Sequence, residues 1–139
     1  MKKKYVFAGA SARALMMYAQ PLVSEFNDVA EIVGVYDVNY KRSEFLIKDI
    51  GIDAPVYNDF DEMLEKAKPD AVIVTTVDRF HHEYIIRSLE AGCDAITEKP
   101  MTVDAAKCQE IIDAVKRTGK NIRVAFNYRY APHNSIVRE

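Results

Sequence analysis

Residues 4–14 read Lys4-Tyr5-Val6-Phe7-Ala8-Gly9-Ala10-Ser11-Ala12-Arg13-Ala14, an apolar run that ends in a glycine and passes at once into small residues. The run from Lys4 to Ala8 has the length and the aromatic and β-branched content of a buried strand. A helix-spaced pattern then runs from Ala12 to Phe26, so the stretch predicts a strand, a tight turn at Gly9 and a helix. In a dinucleotide fold such a turn brings the backbone amides of a helix N-terminus against a pyrophosphate. Gly9 takes the first glycine position of that turn, while Ser11 and Ala14 stand at the second and third. Both are small enough to leave the backbone approachable, Ala12 lies at the helix start, and Arg13 adds a cation. Gly-Ala-Ser also makes an ordinary strand-to-helix connection, so the turn takes its meaning from its surroundings.

Moving outward, apolar blocks recur at Ile32 to Tyr36, Pro55 to Tyr57, Ala71 to Thr75, Ala95 to Thr97 and Ile122 to Phe126. Amphipathic helical patterns lie between them at Tyr40 to Ile50, Phe60 to Ala67, Phe80 to Ala91 and Val103 to Thr118. Gly51, Gly92 and Gly119 follow helical stretches, and Asp59 and either Thr102 or Asp104 are placed as N-caps. Ile85, Ile86 and Leu89, then Ile111, Ile112 and Val115, form inward-facing stripes. Strand and helix alternating from end to end predict the α/β class: a single Rossmann-like domain with a doubly wound parallel sheet, binding ligand at the carboxyl ends of its strands. The second strand ends at Asp37, 28 residues after Gly9, where the usual interval to a ribose-binding carboxylate is about 20. A carboxylate facing the ribose accepts bonds from both hydroxyls and repels a 2′-phosphate, which predicts NAD rather than NADP. Lys41 and Arg42 pull the other way, and Asp37 could instead only cap the next helix.

The chain has 139 residues, 49% of them hydrophobic and 29% charged, which suits one domain with a real core. A net charge of −2 with both signs interspersed offers no surface for nucleic acid or an anionic membrane and points to small-molecule chemistry. No apolar run approaches the roughly 20 residues of a membrane span. Cys93 and Cys108 make no disulfide framework, so a reducing, cytoplasmic setting is expected. Lys2 to Lys4 ahead of Tyr5-Val6-Phe7-Ala8 has the look of a secretory signal start, but Arg13 interrupts it and a first strand is the preferred reading.

Three later segments carry a specific resemblance: Thr75-Thr76-Val77-Asp78-Arg79-Phe80-His81, then Ala91-Gly92-Cys93-Asp94-Ala95-Ile96-Thr97-Glu98-Lys99-Pro100, then Asn127-Tyr128-Arg129-Tyr130. Together they resemble the glucose-fructose oxidoreductase and inositol dehydrogenase family, whose pattern is Thr-Pro-Asn with a His three residues on, Ala-Gly with Glu-Lys-Pro after five residues, and Asn-x-Arg. The match is ordered and spans the chain. Val77 and Asp78 depart from the proline and asparagine of the pattern, as Ser11 and Ala14 depart from the glycines. The resemblance implies a nicotinamide-dinucleotide-binding domain over residues 1–130, with 131–139 beginning the connection to a substrate domain that is absent. The implied activity is hydride transfer between the cofactor and a sugar, cyclitol or related polyol, in an enzyme expected to be a homo-oligomer when complete.

By the same resemblance Lys99 is the catalytic candidate, reaching the substrate hydroxyl, where an ammonium steadies a developing alkoxide. Glu98 is implied as a cofactor contact near the ribose and nicotinamide, and Pro100 as a turn that aims Lys99, often through a cis bond. Thr75 and Thr76 would touch the dinucleotide and His81 would lie on the nicotinamide side, though a helix-start histidine satisfied by backbone is the competing reading. Asn127 and Arg129, with Tyr128, would meet the nicotinamide end or a substrate carboxylate. No metal site is expected, since His81, His82 and Glu83 point in different directions on a helix. Two other readings remain: an NAD-dependent glycoside hydrolase, and a dinucleotide-binding protein without chemistry.

Overall fold

The computed structural model describes residues 1–138; Glu139, the end of the expected connection, lies outside the described residues. Among the described residues six strands form one sheet: β1 (Lys3–Ala8), β2 (Ala30–Tyr36), β3 (Val56–Tyr57), β4 (Ala71–Val74), β5 (Asp94–Glu98) and β6 (Ile122–Ala125). Every pairing is parallel and the order is β3-β2-β1-β4-β5-β6. Parallel neighbours need crossovers, supplied here by α3 (Tyr40–Ile50), α4 (Phe60–Ala67), α5 (His81–Glu90), α6 (Ala105–Thr118) and the helical run after β1. This is the doubly wound arrangement predicted from the alternation, with the order reversing between β1 and β4.

Crossovers cover both faces of the sheet, so its strands are apolar on both sides. Val6, Ala8, Val72, Val74 and Ala95 pack with Phe60, Met63, Ile85, Leu89 and Ile111 on one face. Phe7, Ile73, Ile32 and Val35 pack with Ala14, Ala19 and Leu46 on the other. Asp59 caps α4 through the Glu62 amide at 2.8 Å, and Asp104 caps α6 through the Lys107 amide at 2.9 Å.

The run after β1 differs from the expected single helix over Ala12 to Phe26. It comprises α1 (Ala12–Ala14), a π-helical turn (Leu15–Ala19) and α2 (Gln20–Ser24). Pro21 explains the irregularity: it has no N–H for the Met17 carbonyl and its ring crowds that turn, so the helix widens just before it. A second difference lies past residue 130, where no finished element is expected but a short helix, α7 (Pro132–Arg138), forms. Among the described residues no helix is long and apolar enough to cross a membrane.

Candidate functional site

Register fixes the site's frame. Tyr57, Tyr36, Ala8, Val74, Thr97 and Val124 lie on one rung across the sheet. The residues that follow them in each strand, among them Asp37, Gly9, Thr75 and Glu98, therefore emerge together at the carboxyl edge. Gly9 and Lys99, far apart in sequence, leave the sheet on the same edge.

At the switch point between β1 and β4 the backbone is locked at close range. Gly9 has φ of +99°, and a side chain there would stand 2.8 Å from Thr75 C and Thr76 N and 2.9 Å from Thr75 O. The Thr75 amide donates to Ala8 O at 2.9 Å, and the buried Thr75 hydroxyl donates to Gly9 O at 2.7 Å. Ser11 caps the helix, its Oγ accepting the Ala14 amide at 3.1 Å. The amides of Ala12 and Arg13, in the first helical turn, have no acceptor within the helix. Asp37 is 8% exposed; its Oδ2 accepts the Ala10 amide at 2.7 Å and its Oδ1 the Asn39 amide at 2.8 Å. It therefore braces both the Gly9 turn and the entry to α3, and each carboxylate oxygen keeps lone-pair capacity for a further donor.

Among the described residues, two clefts that open on this edge share Ser11, Thr75 and Thr76 as their common wall. One, of about 310 Å³, lies over the β1–β2–β4 side between Asp37, Val38, Arg42, Val77 and Phe80. Its floor holds Tyr36 and Tyr84, which with Phe60 form a cluster of rings 4.9 to 5.9 Å apart. The Tyr36 and Tyr84 hydroxyls are 3.4 Å apart; burial, and then this contact, push the Tyr84 hydroxyl well above the ordinary tyrosine value. The other cleft, of about 570 Å³, opens toward β5 and β6 and is lined by Arg13, Asp78, Glu98, Lys99, Asn127 and Tyr128.

An ion pair ties these halves together. Arg13 Nε donates to Glu98 Oε1 at 3.0 Å and Nη2 to Oε2 at 3.3 Å, while the Tyr18 hydroxyl donates to Oε1 at 2.8 Å. Burial alone would raise the Glu98 carboxyl, but the bonds from Arg13 and Tyr18 more than offset it and hold the group below its ordinary value. Burial and the same carboxylate drive the Tyr18 hydroxyl upward. Residues five apart on an α-helix lie about 140° apart around the axis. The π turn that contains Tyr18 reduces this angle, letting Arg13 and Tyr18 converge on one carboxylate. Arg13, expected to reach a phosphate, is engaged with Glu98, and Glu98, expected at the cofactor, is mostly enclosed by Arg13 and Tyr18.

Lys99 is exposed at the end of β5 and faces the second cleft, and the Lys99–Pro100 peptide is cis. His81 has no exposed surface, and both its ring nitrogens lie against backbone carbonyls. It is nevertheless among the residues that line the second cleft. The Thr76 hydroxyl is buried without a partner among the described residues. Ala12 borders a shallow depression with Lys41, Arg42 and Phe45, and Arg129 lies on the turn after β6, in neither cleft's lining. The structure thus gathers Gly9, Ser11, Arg13, Asp37, Thr75, Thr76, His81, Glu98, Lys99 and Asn127 along one groove. Sequence reading missed Tyr18, Tyr36, Phe80 and Tyr84. Tyr36 and Tyr84 bear the ordinary spacing of core residues, and nothing in a 3.6-residue period marks Tyr18.

The family model described as "Oxidoreductase family, NAD-binding Rossmann fold" matches residues 3–126. YteT of Bacillus subtilis, a protein named as an oxidoreductase, is 37% identical over 99% of the chain and 33% of its own length. The inositol 2-dehydrogenase of Azotobacter vinelandii is 34% identical over 73% of the chain and 30% of its own length. The chain thus spans about a third of the curated relatives it matches. Among solved structures, the WlbA dehydrogenase of Chromobacterium violaceum, in complex with NADH and UDP-GlcNAcA, superposes with a TM-score of 0.89 at 24% identity, covering 98% of the chain and 38% of that protein. A point mutant of the 3-ketoreductase KijD10 of Actinomadura kijaniata, in complex with TDP-benzene and NADP, superposes with a TM-score of 0.83 at 22% identity, covering 99% and 42%.

Proposed function

Because the chain belongs to the oxidoreductase family that has an NAD-binding Rossmann fold, we propose that the groove over β1, β4 and β5 holds a nicotinamide dinucleotide, NAD in preference to NADP, for hydride exchange with a sugar, cyclitol or related polyol. The observation that carries this reading is the Gly9 cradle: a Cβ there would meet backbone at 2.8 Å. Its absence brings the ends of β1 and β4 together beneath the open amides of Ala12 and Arg13, a place suited to a pyrophosphate. Asp37 would accept the ribose hydroxyls, and its charge disfavours a 2′-phosphate. Arg42, across the same cleft, is the residue that would soften that preference. Val38, Val77 and Phe80 offer apolar surface to a purine.

Bound there, the dinucleotide supplies the hydride acceptor or donor. The chain's own contribution to chemistry centres on Lys99 Nζ. As an ammonium it steadies a developing alkoxide, and as an amine it takes the hydroxyl proton. Glu98, kept ionised by Arg13 and Tyr18, anchors the strand end from which Lys99 projects. Asn127 and Tyr128 border the space in front of it. Both cysteines are free thiols, which supports a reducing, cytoplasmic setting.

Calorimetric titration of the chain with NAD, NADH, NADP and NADPH tests the reading. Binding of NAD and NADH is expected, weakened in Gly9→Ala and retained in Lys99→Ala. No dinucleotide binding would sink the site, and tighter binding of NADP than NAD would sink the role given to Asp37.

A further inference from the structure

His81 begins α5 with no surface exposed to solvent and borders the second cleft. Its Nδ1 lies 2.8 Å from the Pro100 carbonyl oxygen and its Nε2 lies 3.0 Å from the Thr76 carbonyl oxygen. Both partners are acceptors. A neutral imidazole has one N–H and one bare lone pair, so it satisfies one carbonyl and sets the lone pair against the other at hydrogen-bond range. Only the doubly protonated ring donates to both. Thr76 belongs to the loop after β4, and Pro100 directly follows Lys99 in the loop after β5. The ring is therefore a crossbar between the two loops that border the groove at Lys99.

We propose that His81 is a positioning residue for Lys99, donating from both ring nitrogens to hold the loops after β4 and β5 together. The proposal rests on the reading above only in the chemistry assigned to Lys99. Asp78, Arg13, Glu98, Lys99 and Tyr128 share the ring's cleft, and His82 and Glu83 follow it on α5. Glu98 is taken up by Arg13 and Tyr18, which leaves Asp78, in the turn just before the ring, as the nearby carboxylate without such a clamp.

The test uses the whole chain labelled with ¹⁵N, whose ring-nitrogen signals read directly whether Nδ1 and Nε2 of His81 each carry a proton. Both should carry one, and His81→Phe should shift the Lys99 and Thr76 backbone amide signals together. A ring with one bare nitrogen, or Lys99 and Thr76 amide signals unmoved in His81→Phe, overturns the proposal.

A second arm measures NADH affinity. His81→Phe, which keeps a ring but no donor, should weaken binding by about five-fold per lost bond. His81→Gln, whose single amide nitrogen can keep one of the two bonds, should restore part of it. Equal affinity in His81→Phe and the native chain would also overturn the proposal. If the native chain binds no dinucleotide, the cofactor reading falls, while the ligand-free spectra still decide the bridge.

Discussion

Replacing Gly9 with alanine attacks the groove at its tightest point, and two penalties add. The first is conformational: φ of +99° is a region that side chains rarely adopt, and holding a non-glycine residue in such a region costs about 1–3 kcal/mol. The second is steric. The new Cβ would meet Thr75 C and Thr76 N at 2.8 Å. These are backbone atoms, so no flexible side chain can swing away. The Thr75 amide bond to Ala8 O and the Thr75 hydroxyl bond to Gly9 O hold the two strand ends at this spacing. Overpacking of this kind costs about 1–3 kcal/mol, and the sum is about 2–6 kcal/mol. Gly51 is the internal control. Its φ is +70° but nothing lies within 4 Å of a built Cβ, so Gly51→Ala should cost only the left-handed penalty of about 1–2 kcal/mol. Any change in unfolded-chain entropy is common to both variants and cancels. Urea denaturation, read as the midpoint at unchanged slope, makes the comparison. The reasoning fails if Gly9→Ala proves no more destabilising than Gly51→Ala.

Other consequences are open to direct measurement. Glu98 has a folded-state value below its ordinary 4.5, so its contribution is fully present above that value and is lost as pH falls through the lowered one. Glu98→Gln should therefore destabilise at neutral pH by about 1–2 kcal/mol, discounted because Arg13 is partly exposed, and the gap should close in acid below 4.5. A gap independent of pH in denaturation curves would refute this. Asp59→Ala should cost about 1 kcal/mol by uncapping α4, while Asp59→Asn should cost much less; thermal melts of the two variants should therefore differ.

The order of strands and helices was legible because period and composition change sharply at each boundary, as at Ala71 to Val74, where four buried apolar residues fill a strand covered on both faces. The groove was legible in part. Gly9, Asp37 and Lys99 lie at the ends of recognisable strands, and parallel register puts such ends on one edge whatever their separation in sequence. What could not be read was how polar groups pair across the sheet. Arg13 and Glu98 meet although they stand 85 positions apart in sequence, and neither local charge pattern announces the other. Tyr18 joins them only because Pro21 widens the helix, a tertiary consequence of a residue on the following turn. For His81 a helix-start histidine satisfied by backbone is one of the two readings the sequence allows, but its Pro100 carbonyl contact, from a loop after a different strand, could not be named.

The sheet also acts as a partition. Val6 and Phe7 are neighbours in the chain, yet one packs toward α4 and α5 and the other toward α2 and α3. A hole opened beneath one set of helices has a layer of hydrogen-bonded backbone between it and the other set. Mutational damage in this domain should therefore sort by the parity of the strand residue rather than by its distance along the sequence.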